Sequence, residues 1–113
     1  MYEVKKRLEI SAAHFLKLTY PSKCSELHGH NWIIEVYLRG RELDENGMLM
    51  DFTHIKKTVA DKFDHKVIND TVDFNPTAEN LARHICELLG PLCYRVDVCE
   101  SENNSASYIR EDC

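Results

Sequence analysis

The chain of 113 residues fits a single domain, residues 1–113, and is long enough to bury a real core. With 43% hydrophobic and 29% charged residues it has the composition of an ordinary soluble protein, with no apolar run near the ~20 residues of a membrane span and no secretory signal at its start, so a cytoplasmic protein without a membrane partner is expected. The formal net charge of −5 argues against general nucleic-acid binding, which needs a basic face, but leaves room for a small anionic molecule in a local basic pocket.

In chain order, the first predicted strand is Tyr2–Phe15. Leu8, Ile10, Ala12 and His14 share one of its faces by the two-residue period. "KKR" at Lys5–Arg7 is too short for a binding patch and reads as a solvated strand edge. A polar connection, "KLTYPSKCSEL", leads to a second strand over His28–Arg39, where Trp32, Ile34, Val36 and Leu38 alternate with Asn31, Glu35, Tyr37 and Arg39. "DENG" at Asp44–Gly47 signals a turn. Asp51 can cap a helix running to Phe63, with Phe52, Ile55, Val59 and Phe63 on one face. Thr77 can cap a second helix, which carries Leu81, Ile85, Leu88 and Leu89 and ends at Gly90 and Pro91. A third strand follows over Cys93–Glu100, and "SENN" turns the chain into a last strand, Ala106–Arg110. Two hairpins separated by helices imply an α+β layer, an antiparallel four-stranded sheet with two helices on one face. Its long free edges need pairing, which points to an oligomer.

The five cysteines, Cys24, Cys86, Cys93, Cys99 and Cys113, are odd in number and form no C-x-x-C pair. Neither a disulfide framework nor a Cys-rich zinc knuckle follows. Cys86 and Cys99 read as packing residues of a helix and a strand.

The chemistry concentrates in "CSELHGHNW", Cys24–Trp32. His28 and His30 are two apart on an extended segment, so their side chains point the same way. Gly29 between them permits an unusual backbone. Two imidazoles on one face can reach one ion at Zn–N distances of ~2.0–2.1 Å. H-x-H alone is a weak motif, but His14, at the end of the first strand, is a compatible third ligand. Cys24 has three readings: a nucleophile or base of lowered pKa, a fourth metal ligand, or an idle surface thiol. Asp64 and His65 in "FDHKVIND" form either a general acid–base pair or a helix C-terminus with a dipole-favoured histidine. Glu100 ends a strand of otherwise apolar parity, and its carboxylate can pair with the amidine-like edge of a heterocycle. Glu102 competes for that role from the turn. His54 and His84 read as surface residues.

Together these pieces resemble the 6-pyruvoyltetrahydropterin synthase / 6-carboxytetrahydropterin synthase family. The matching segments are "SAAHF", "CSELHGHNW", "MDF", "FDHKVIN", "NPTAENLA" and "VCESENNSASY", which span nearly the whole chain in the family order. The resemblance implies the tunnelling fold, ββααββ, with three subunits closing their sheets into a barrel and two trimers stacking into a homohexamer. It implies zinc on His14, His28 and His30, with Cys24 as the base. Asp64 and His65 would be a proton relay that can serve a neighbouring subunit. Glu100 would anchor the pterin and share in the relay, and Thr77 resembles a pterin-contacting position. The C-x3-HGH spacing is similar to the bacterial 6-carboxy-5,6,7,8-tetrahydropterin synthases of queuosine (deazaguanine) biosynthesis. The implied reaction converts 7,8-dihydroneopterin triphosphate to 6-carboxy-5,6,7,8-tetrahydropterin with release of acetaldehyde and triphosphate. Asn31, however, follows the biopterin-type "HGHN", and Glu26 is either a solvated loop residue or a base for cleavage toward a folate precursor. The alternatives are therefore a 6-pyruvoyl product, a folate-branch product, or a non-catalytic zinc- or pterin-binding module. Lys17 and Lys23 are candidates for the triphosphate.

Overall fold

The computed structural model describes residues 1–111, and Cys113 lies outside the described residues. The elements in chain order are β1 (Tyr2–His14), β2 (His28–Gly40), α1 (Phe52–Phe63), α2 (Ala78–Leu88), β3 (Cys93–Ser101) and β4 (Asn104–Ile109). Two short 3-10 turns, Lys23–Ser25 and Ile68–Asp70, were not foreseen from the sequence. The strands form one antiparallel sheet in the order β1-β2-β3-β4. The expected α+β layer is what the chain adopts.

Alternation decides which face is buried. Leu8, Ile10 and Ala12 on β1, Trp32, Ile34, Val36 and Leu38 on β2, and Val96 and Val98 on β3 pack under the helices. The opposite parity carries Lys5, Glu35, Arg39, Arg95 and Asp97 on the uncovered face, where they make ion pairs. α1 lies against β1, and α2 against β3 and β4. Ile55, Val59 and Phe63 bury one stripe of α1, and Leu81, Ala82, Ile85 and Cys86 one stripe of α2. Burial on this scale supplies most of the stability, at roughly 1.5–3 kcal/mol per large apolar side chain.

The helix ends follow their caps. The Asp51 side chain accepts from the Thr53 amide at 2.8 Å, and Thr77 Oγ1 accepts from the Asn80 amide at 3.1 Å, each satisfying an orphan donor of a first turn. α2 stops because Gly90 turns left-handed at φ 90°.

Several sequence expectations need correction. Phe52 is exposed, because the first turn of α1 lies beside Tyr2, Met48 and Leu49 at the rim of the core. Leu88 is also exposed. His84 is no surface residue: it is half-buried against Phe63 and Phe74, and Lys62 Nζ approaches its Nε2 at 2.6 Å. Gly29 has no unusual backbone, and an added Cβ would come no closer than 3.9 Å to Ala12 O.

Candidate metal centre and active site

The site forms at the loop end of the β1–β2 hairpin, where residues 15–27 connect the two strands. Antiparallel register sets His14 opposite His28 and Ala12 opposite His30. The parity that buries Leu8 and Ile10 thus aims all three imidazoles at one point. Their ring centroids lie 4.5 Å (His14–His28), 5.3 Å (His14–His30) and 4.8 Å (His28–His30) apart. Trp32 floors the cluster, edge-on to His14 at 4.8 Å and to His30 at 5.2 Å, and its Nε1 donates to Ala12 O at 3.1 Å. Glu100, at the far end of β3, completes the group. One ligand atom from each of His14, His28, His30 and Glu100 lies within 4.8 Å of all the others.

The hydrogen bonds select the tautomers. His14 Nδ1 donates to Pro76 O at 2.8 Å, and His28 Nδ1 donates to Glu26 O at 2.7 Å. A carbonyl only accepts, so the proton sits on Nδ1 and the Nε2 lone pair faces the centre. His30 Nε2 lies 2.8 Å from Glu100 Oε1, within ion-pair distance. The angles there are not those of a hydrogen bond, however, and both His14 Nε2 and His30 Nε2 are buried without a hydrogen-bond partner. Such groups are costly unless something occupies their lone pairs. Burial also holds His14 below the ordinary histidine pKa, against the opposing effect of its bond to Pro76 O. It is therefore neutral at pH 7, the form that ligates a metal. A borderline cation such as Zn²⁺, with imidazole and carboxylate donors, fits this set.

Cys24 is exposed, on the 3-10 turn that leads to His28. That turn is held by Ser22 Oγ, which accepts from the Cys24 amide, and by Cys24 O, which accepts from the Leu16 amide at 2.8 Å. Among the described residues, Cys24 is not in the group whose ligand atoms converge, whereas Glu100 is. Glu102 lies in the exposed β3–β4 turn. Glu100 also lines a cavity of about 280 Å³ with Ala78, Asn103 and Ser105, beside the start of α2. Thr77 is spent on capping α2. Glu26 contributes its carbonyl to His28, and its side chain is exposed.

Asp64 and His65 lie along the outer edge of β1. Asp64 Oδ1 accepts from the Ser11 amide at 2.8 Å, and the His65 amide donates to Ser11 O at 2.7 Å. His65 is held left-handed at φ 59°, a conformation that costs a non-glycine residue energy and that these bonds sustain. Its Nε2 stands 3.7 Å from Asp64 Oδ2, in ion-pair rather than hydrogen-bond range. Among the described residues, no hydrogen bond or ion pair joins His65 to Cys24, Glu100 or the three histidines. His65 and His30 do line one cavity of about 490 Å³ with Gly29 and Asn31.

Sequence reasoning missed the groups that stand behind the site. Asn75, which accepts from the Lys17 amide and donates to Lys17 O, falls inside a quoted motif, yet nothing in its spacing separates an asparagine that brackets a backbone from one that turns it. Pro76 acts through its carbonyl, which has no side-chain signature.

Comparison with known proteins agrees with this geometry. The family described as 6-pyruvoyl tetrahydropterin synthase matches residues 3–111. The chain is 32% identical to the 6-carboxy-5,6,7,8-tetrahydropterin synthase of Bacillus subtilis (strain 168), over 95% of this chain and 84% of the relative. It is 37% identical to the 6-pyruvoyl tetrahydrobiopterin synthase of Dictyostelium discoideum, over 76% of this chain and 73% of the relative. The structure of Caenorhabditis elegans 6-pyruvoyl tetrahydropterin synthase superposes with a TM-score of 0.76 at 28% identity, covering 97% of this chain and 96% of that one.

Proposed function

The chain belongs to the 6-pyruvoyl tetrahydropterin synthase family, and from that premise we propose that it is a zinc-dependent pterin lyase. The reaction we assign converts 7,8-dihydroneopterin triphosphate and water to 6-carboxy-5,6,7,8-tetrahydropterin, acetaldehyde and triphosphate, as a step of queuosine biosynthesis in the cytoplasm. The observation that carries this reading is the convergence of three imidazoles, two with buried and unpartnered Nε2 atoms, beside a carboxylate that borders a cavity.

In this reading His14, His28 and His30 hold the metal. Zinc, when bound, supplies Lewis acidity toward the side-chain oxygens of the substrate, so that protons on the adjacent carbons become acidic. Cys24, exposed on its capped turn, takes a carbon-bound proton as thiolate. His65, oriented by Asp64, gives and removes protons at the side-chain oxygens. The fixed position of the pair on the outer edge of β1 suits service to a neighbouring subunit's Cys24 in a homohexamer. Glu100 accepts two parallel hydrogen bonds from the amino-pyrimidine edge of the pterin in its cavity, and Thr77, next in the chain to the cavity-lining Ala78, is assigned a contact with the pterin. The single domain of residues 1–113 is then one catalytic unit of a larger assembly.

The Dictyostelium relative gives one specific reason to keep a 6-pyruvoyl product as the second reading. The test is to incubate zinc-loaded protein with 7,8-dihydroneopterin triphosphate and identify products by mass spectrometry. Carboxytetrahydropterin with acetaldehyde supports the assignment. A pyruvoyl product moves it to the biopterin branch, and a 6-hydroxymethyl product points to Glu26. Intact substrate with zinc bound would leave a binding module.

A further inference from the structure

Among the described residues, His14 is the only buried polar or charged side chain, and its ring is fixed by one acceptor, Pro76 O. That carbonyl belongs to a stretch between the Ile68–Asp70 turn and α2 that has no helix or strand of its own. Something must hold it in place. The support lies along the outer edge of β1.

β1 is an edge strand, so alternate residues present their N–H and C=O groups outward. Residues 11, 13, 15 and 17 are all met by the segment that follows α1. Ser11 is bonded by Asp64 and His65, and the Ala13 amide donates to Lys66 O at 3.0 Å. Asn69 brackets Phe15, accepting from its amide and donating to its carbonyl, both at 2.9 Å. Asn75 brackets Lys17 in the same way, at 2.9 and 3.0 Å. A carboxamide suits this task because it offers one donor and one acceptor side by side, like a strand residue. The backbone of Asn75 ties the other way: its carbonyl accepts from the Thr77 amide at 2.8 Å and from Asn80 Nδ2 at 2.9 Å.

We propose that Asn75 is a positioning residue for metal ligation: by bracketing Lys17 it holds the adjacent Pro76 O where that carbonyl fixes His14 as the Nδ1–H tautomer with Nε2 free. The proposal rests on the reading of the histidine trio as a zinc site. Asn69 is a built-in control, because it makes the same pair of bonds but anchors the Ile68–Asp70 turn rather than Pro76.

The test compares Asn75→Ala, Asn75→Asp and Asn69→Ala with the wild type. Two quantities are read: the His14 tautomer in metal-free protein, by ¹⁵N-histidine NMR, and Zn²⁺ affinity, by competition with a chromogenic chelator. Asn75→Ala is expected to mix the tautomers and weaken Zn²⁺ binding by about 10–100-fold, the usual effect of removing support behind a ligand. Asn75→Asp keeps the bond from the Lys17 amide and loses the one to Lys17 O, so an intermediate loss is expected; it also serves if the alanine variant does not fold. Asn69→Ala should leave tautomer and affinity near wild type. Wild-type values in both Asn75 variants, or equal losses from Asn69→Ala and Asn75→Ala, would overturn the proposal. A wild-type protein that binds no Zn²⁺ overturns the zinc reading instead, and the tautomer alone then decides the role of Asn75.

Discussion

Cys24 and Glu100 carry opposite ambiguities. The thiol is exposed and outside the convergent group, while the carboxylate is inside it and also borders a cavity. Replacing Cys24 with Ala is expected to leave zinc content unchanged and to lower kcat by about 10²–10⁴-fold, the range for losing a general base; zinc analysis beside steady-state kinetics checks it, and loss of zinc would make Cys24 a ligand. Glu100→Gln removes charge and keeps shape. If the carboxylate anchors the pterin, zinc stays bound and kcat/KM falls by roughly 10–100-fold, the worth of a charge-assisted hydrogen bond of about 1.5–3 kcal/mol. A fall in zinc affinity of that size would make it the fourth ligand. The three histidines were legible in the sequence because strand parity alone puts Ile10, Ala12 and His14, or His28, His30 and Trp32, on one side. The tautomers were not, since they depend on Glu26 O and Pro76 O, and any residue type offers a carbonyl.

At the level of elements, α1 and α2 meet through His84, which touches Lys62 and Phe63. Lys62 Nζ donates to His84 Nε2 at 2.6 Å. Burial, then the Lys62 charge, lowers the His84 pKa from its ordinary 6.5, with Glu87 and Asp73 opposing. A histidine lowered in the folded state contributes stability that is fully present above its unfolded pKa and is lost as pH falls through the folded value. The metal-free protein is therefore expected to melt at progressively lower temperature from pH 7 to pH 5. In His84→Gln the dependence should be shallower, and the remaining slope belongs in part to His14, which burial also lowers. Thermal unfolding followed by circular dichroism at stepped pH checks this, and identical slopes in the two proteins would refute it. The elements themselves were largely legible, because Asp51, Thr77 and Gly90 carry their capping chemistry in their side chains or lack of one. His84 was misread because its burial comes from Phe63 on the other helix and Phe74 in the loop before α2, contacts that periodicity within α2 does not encode.

The whole molecule is longer than its residue count requires. It measures 51 × 30 × 26 Å with a radius of gyration of 14.8 Å, against ~13 Å for a compact domain of this length. The excess comes from two 13-residue strands that run as a ladder along the full hairpin. The outer edge of β1 is covered by the chain's own residues at Ser11 and Ala13, which, among the described residues, leaves the stretch Tyr2–Glu9 uncovered. At the other side of the sheet, β4 offers Asn104–Ile109. Because β1 and β4 run in opposite directions within the sheet, a rotation axis along the strands would set β4 of one subunit antiparallel to β1 of the next, closing a barrel and removing both edges. The parity of residues 11 and 13 extends to residues 3, 5, 7 and 9, so Arg7 presents its amide away from β2, whereas Lys6 turns its own toward β2. Proline is tolerated on an edge strand where its missing N–H faced outward. If the proposed homohexamer closes this way, Arg7→Pro is expected to give a folded monomer in light scattering while the wild type scatters as the larger assembly, and Lys6→Pro breaks the β1–β2 ladder and lowers the melting temperature. An Arg7→Pro protein that remains hexameric would mean that subunits join through another surface, and Asp64 and His65 would then need a different route to a neighbour's thiol.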